Sequence, residues 1–180
     1  MLYFSMFLTI ISVIAHLSTY LGIYLFNEYY RIFSYSYVIH GLIFIPFFAM
    51  VFKLSFGKNK IERIKFLESF NPAIIFKRYF PNTNYKVGLI LMVLFIYVFF
   101  NFYFSVNKLG NGSPGILDGK YILNNHGEIT EVDKKQYVEM CYIQLKAFSG
   151  HWIIFSIIPF IYFLDRRKEK IKNVENNNIK

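Results

Sequence analysis

A single cysteine, Cys141, cannot close an intramolecular disulfide, so a small secreted domain stapled by disulfides is excluded. Four histidines and that one thiol offer no ligand spacing for a structural zinc site. No H-E-x-x-H or other catalytic motif occurs, and no nucleophile paired with a base is legible inside any long apolar run. Those runs also lack aspartate and glutamate, which argues against an ion-coupled transporter, and the chain shows no inverted repeat. Strict apolar/polar alternation is missing too, so a transmembrane barrel is not expected.

What the sequence does have is apolar length. Of 180 residues, 55% are hydrophobic and 21% aromatic, with a mean hydropathy of +0.35, too apolar for an ordinary water-soluble domain. Four stretches carry no charged side chain: 2–26, 32–52, 87–106 and 148–164. Crossing a hydrocarbon core of about 30 Å takes roughly 20 helical residues, and in lipid a helix satisfies its own backbone polar groups. The first run has no basic leader and no small-residue cleavage site before residue 27, so it reads as a retained helix. The expected fold is an all-α membrane protein: a four-transmembrane-helix bundle forming one integral membrane domain over 1–180, with a small outer α+β cap between helices 3 and 4.

All the charge lies between these runs, which sets the orientation. Segment 53–86 carries eight Lys/Arg against two acids, and segment 165–180 six against three. Segment 107–147, by contrast, balances five lysines with five acids. Cationic flanks stay on the cytoplasmic side, so both termini and the 53–86 loop are expected inside and 107–147 outside. A net charge of +9 spread in this way, rather than along one face, points away from nucleic acid as a partner. Within the loop, Ile61, Ile64, Phe66, Leu67 and Phe70 alternate with Lys60, Arg63 and Lys65, as in a surface helix whose cations meet anionic headgroups. Asn71-Pro72 is expected to end that helix.

In the outer segment, Gly110 to Gly115 reads as a turn cluster. Lys120 to Leu123 and Glu128 to Glu131 then flank Asn124-Asn125-His126-Gly127 as a hairpin with a four-residue turn. Thr130 followed by Asp133 resembles a helix N-cap signal, and Val138, Cys141, Leu145 and Phe148 recur at helical spacing, predicting an amphipathic helix that leads into span four.

Helix one places Ser5, Thr9, Ser12, His16 and Thr19 on one stripe, which must face protein. Ser36, His40 and Gly41 offer a matching face on helix two, so the two helices are expected to pack along these stripes. By helical rise, His16 and His40 both lie about 3 Å outward of mid-bilayer, and Asn101 and His151 roughly 7 Å outward. This His16, His40, Asn101 and His151 layer has two readings: interhelical hydrogen bonding, or an outward-facing polar cavity that binds a ligand or partner. No metal and no cofactor is expected there. Trp152, with Tyr20, Tyr24, Tyr29, Tyr30, Tyr35 and Tyr103, fits an interfacial aromatic belt.

The run Asp118-Gly119-Lys120-Tyr121-Ile122-Leu123-Asn124-Asn125-His126-Gly127, with Tyr137 and Phe148-Ser149-Gly150-His151-Trp152, resembles the C-terminal third of small bacterial inner-membrane proteins of uncharacterised function. Four spans with both termini inside resemble, in topology only, the immunity proteins of colicin A-type bacteriocins, and carry over no functional positions. The richness in Lys, Asn, Ile, Phe and Tyr is similar to that of AT-rich bacterial genomes. The expected function is therefore a non-enzymatic, multi-pass bacterial inner-membrane protein. It would bind another membrane component, such as a membrane protein or toxin, through its outer half. A small channel or carrier subunit is the alternative.

Overall fold

The computed structural model describes residues 1–21, 29–56, 72–110 and 112–178, with side chains throughout except at 21, 29–37, 72, 73, 75 and 178. The elements in chain order are α1 (Leu2–Leu21), α2 (Tyr29–Phe56), α3 (Pro72–Tyr79), α4 (Tyr85–Lys108), β1 (Ser113–Leu117), β2 (Lys120–Asn125), β3 (Glu128–Glu131) and α5 (Lys134–Asn178). α1, α2, α4 and α5 are long and apolar enough to cross a membrane. The surface helix expected around 61–70 lies outside the described residues.

α5 is the axis of the molecule. Its 45 residues span about 67 Å at the helical rise, so the expected cap helix, span four and the charged tail are one unbroken helix, continuous through Gly150 and Pro159. It opens on a capping box: the Asp133 carboxylate accepts the Gln136 N–H at 2.7 Å, and the Gln136 amide oxygen accepts the Asp133 N–H at 3.2 Å. Asp133 is thus the cap, not Thr130, which sits in β3.

The other three long helices lie against α5 rather than around a shared centre. α1 runs along α5 and, among the described residues, has only a slight contact to α2, so the expected pairing of helices one and two is corrected. The serine stripe explains the choice of partner. Ser5 and Ser12 on α1 are fully buried, as are Ser149 and Ser156 on α5, and small side chains on both helices let their backbones approach closely. The hydroxyls of α1 do not bond across the gap as expected. Ser5, Thr9, Ser12 and Thr19 donate to carbonyls three or four residues back in their own helix, leaving His16 as the stripe's bridging group.

α2 joins through two apolar clusters, one of Leu8, Ile43 and Trp152, the other of Met50, Tyr162 and Phe163. Trp152 is therefore a core residue, not part of an interfacial belt. α4 buries only the narrow stripe Val98, Asn101 and Ser105, exposing Ile90, Val93, Phe95, Phe99 and Phe104 on its remaining sides. A contiguous apolar face of that size suits lipid as solvent.

Pro72 opens α3, its missing N–H being harmless in a first turn. Beyond α3, the turn at 80–84 is held on α5 by Asp165. This fully buried carboxylate accepts the Thr83 hydroxyl at 2.7 Å and the Asn82 N–H at 2.9 Å.

The opposite end carries a three-stranded antiparallel meander, β1-β2-β3, instead of a lone hairpin. The expected turn cluster supplies β1, which pairs from Ser113 with Asn124 to Leu117 with Lys120. Proline and glycine in it are poor strand formers, tolerated because β1 is an edge. Both turns are two residues long. Asp118-Gly119 have φ of 50° and 78°, and His126-Gly127 have φ of 52° and 101°, the left-handed pairs that match strand twist. The four-residue turn is corrected accordingly: β2 runs through Asn125, and the Asn124 side chain accepts the Gly127 N–H at 2.8 Å. Buried Ile122 and the ring contact of Tyr121 with Tyr137, 4.9 Å between centroids, seat the sheet on α5.

Candidate functional site

At the sheet end, α1, α4 and α5 enclose an open cavity of about 620 Å³. Tyr20, Tyr97 and Asn101 give its lining polar groups, and behind them a hydrogen-bonded network centres on His16. His16 Nδ1 lies 2.8 Å from Ser149 Oγ, and Nε2 lies 2.6 Å from the Tyr97 hydroxyl, itself 2.6 Å from the Tyr20 hydroxyl. Ser149 donates to the Lys146 carbonyl at 3.3 Å, and Asn101 Nδ2 donates to the same oxygen at 2.9 Å. With the His16 proton on Nδ1, the chain runs in one direction. Tyr20 donates to Tyr97, Tyr97 to His16 Nε2, His16 Nδ1–H to Ser149, and Ser149 to the carbonyl. The Tyr20 oxygen then keeps acceptor capacity at the cavity.

Gly150 makes room for this network. A Cβ at that position would lie 3.0 Å from Asn101 Nδ2 and 3.7 Å from His16 Cε1. The walls above are apolar, formed by Phe100, Phe104 and Ile143. Lys146 stands over them with its ammonium 4.0 Å from the Tyr20 ring centre, while Lys108 and Glu139 pair at 3.0 Å on the rim.

The four residues of the expected polar layer are thus divided. His16 and Asn101 share one network, linked through Ser149 and the Lys146 carbonyl. His40 stands apart on α2 and accepts the Trp152 indole N–H at 2.9 Å. His151 bonds through Nδ1 to the Ala147 carbonyl of its own helix at 3.1 Å, with its ring edge-on to Phe102 at 4.6 Å. Among the described residues, no three His, Cys, Asp or Glu side chains come together as a metal site.

His16 and Ser149 do form a nucleophile and base pair by distance, which the sequence did not reveal. Ser149 has no exposed surface and is committed to a carbonyl, so a substrate carbonyl has no approach to it.

Sequence reasoning missed Tyr97, Ser149 and Lys146, and assigned Tyr20 to the belt. The signal for Tyr97 was present: a phenol amid phenylalanines in an uncharged run needs a partner for its hydroxyl.

No protein-family model, curated protein or solved structure matches this chain. The class of protein is therefore defined by the fold alone. It is a bundle of long apolar helices gathered on one axial helix, bearing a small sheet at one end, and fits a multi-pass membrane protein.

Proposed function

We propose that this chain is a non-enzymatic, multi-pass protein of a bacterial inner membrane, with both termini cytoplasmic and the sheet outside, and that it binds another membrane component in the cavity between α1, α4 and α5. The observation that carries this reading is the cavity itself: about 620 Å³, apolar walls, a hydrogen-bonded floor and an opening beside the exposed face of α4. The polar network ends at the Lys146 carbonyl, and the neighbouring cluster of Leu8, Ile43 and Trp152 is apolar, which supports binding over conduction. Immunity to a membrane-inserted toxin is one concrete form, supported by the topological resemblance.

Two experiments test the reading. With Cys141 replaced by serine, Gly127→Cys should label from outside cells and Asn178→Cys only after permeabilisation; the same side for both overturns the orientation. A photoreactive amino acid in place of Phe104 should form adducts with a membrane component in living cells, and Ile143→Trp, which fills the cavity, should abolish them. No adduct, or adducts indifferent to Ile143→Trp, overturns the binding role. In the immunity form, expression should protect cells from a toxin encoded beside the gene, and Ile143→Trp should weaken that protection.

A further inference from the structure

Three charged side chains line the cavity: Lys108, Glu139 and Lys146. Lys108 and Glu139 neutralise each other at 3.0 Å on the rim. Lys146 is left over: among the described residues no carboxylate pairs with it, and its ammonium rests on the Tyr20 ring. A ring face attracts a cation without neutralising it, so two lysines and one glutamate leave the lining at +1. A half-buried cation resting on the Tyr20 ring face, beside apolar walls and without a paired carboxylate, attracts an anion.

The walls say what that anion is attached to. Phe100 and Phe104 belong to the face of α4 that turns outward, 50% and 64% exposed, so the cavity opens directly onto the solvent of that face. If that solvent is lipid, a ligand with an acyl chain reaches Lys146 without leaving the bilayer. A bare inorganic anion would leave the aromatic walls wet.

Resting on the binding role proposed above, we infer that the cavity holds an anionic glycerophospholipid. Its phosphodiester sits against the Lys146 ammonium, a headgroup hydroxyl donates to the Tyr20 oxygen, and an acyl chain lies along Phe100 and Phe104. One phosphodiester carries one negative charge, which matches the uncompensated charge of the lining.

The test uses the full chain in a neutral detergent and native mass spectrometry. The probes are phosphatidylglycerol, phosphatidylcholine of the same acyl chains, and inorganic phosphate. Phosphatidylglycerol should bind in preference, and Lys146→Gln should weaken it about fivefold, the weight of one lysine at an anionic lipid surface. Lys146→Arg should retain the preference, as should Lys135→Gln at the exposed start of α5. Should Lys146→Gln fail to fold, judged by the protection of Cys141 from a thiol reagent, Ile143→Trp tests the same point by occupying the acyl path. Equal binding of the two lipids, an unchanged affinity in Lys146→Gln, or displacement by inorganic phosphate alone would overturn the inference. Protein adducts from position 104 in cells, with no lipid preference in detergent, would sink this inference and leave the binding role standing. The absence of both would sink both.

Discussion

The indole of Trp152 on α5 donates its N–H to Nδ1 of His40 on α2 at 2.9 Å, which places the proton of a neutral His40 on Nε2. This bond ties α2 to the axial helix beside the Leu8, Ile43 and Trp152 cluster.

Removing the acceptor leaves a buried indole N–H unpaired. His40→Phe, which keeps an aromatic ring in place, should destabilise the protein by about 1–3 kcal/mol. Trp152 is the only tryptophan, so its emission maximum reports this site alone. An unchanged emission spectrum and melting temperature in His40→Phe would show that the bond is not made.

Asp165 anchors the turn between α3 and α4. Asp165→Ala orphans the Thr83 hydroxyl and the Asn82 N–H, and hydrogen bonds to a charged group weigh more than neutral ones, so a loss of about 2–4 kcal/mol is expected. Cys141, the only cysteine, is buried, and its labelling on heating gives the unfolding curve. Limited proteolysis should cut faster at 80–84 in the variant. Wild-type resistance there would contradict the anchoring role.

Gly150 separates two effects of opposite sign. Alanine gains about 1 kcal/mol in helix propensity but crowds the Asn101 amide, so Gly150→Ala should fall within about 1 kcal/mol of the parent. Gly150→Val adds a branch toward His16 and Val98 and should cost about 1–3 kcal/mol by overpacking. Equal stability of the two variants would mean that α4 and α5 are not this close.

On the sheet, the Glu131 carboxylate 2.7 Å from Lys120 raises the lysine above its ordinary range. Because the folded value is the higher one, the pair's contribution is present below the unfolded lysine pKa and is lost only as pH climbs through the folded one. Lysine-selective NMR should show Lys120 titrating above the ordinary lysine value, and Glu131→Gln should bring it down. Both groups face solvent, so melting near neutral pH should be unchanged by Glu131→Gln.

Much of the fold was legible because its cause is one-dimensional. A run of uncharged residues long enough to span a bilayer forms a helix whatever its neighbours, and the α1 stripe of Ser5, Ser12 and His16 announced a protein-facing side. Less of the sheet was legible. Asp118-Gly119 is a strong two-residue turn signal, but the strand before it contains Pro114 and Gly115, which read as a turn.

The site was legible only in part. His16 and Asn101 stood out as polar groups in apolar helices, and one network does contain both. His40 and His151 stood out equally and belong elsewhere, because depth along a helix says nothing of the direction a side chain faces once the partner helix is unknown.

The helical character of the four apolar runs and the distribution of charge around them were determined by the sequence, since each depends on local composition. Which helix became the axis was decided only in three dimensions. The small residues that permit close approach occur on several helices, and the choice of α5 as partner of α1 depends on how all of them fit at once. Lys146 shows the consequence. By sequence it is one of five lysines balanced by five acids in a soluble segment; by fold it lines the cavity with no carboxylate paired to it among the described residues.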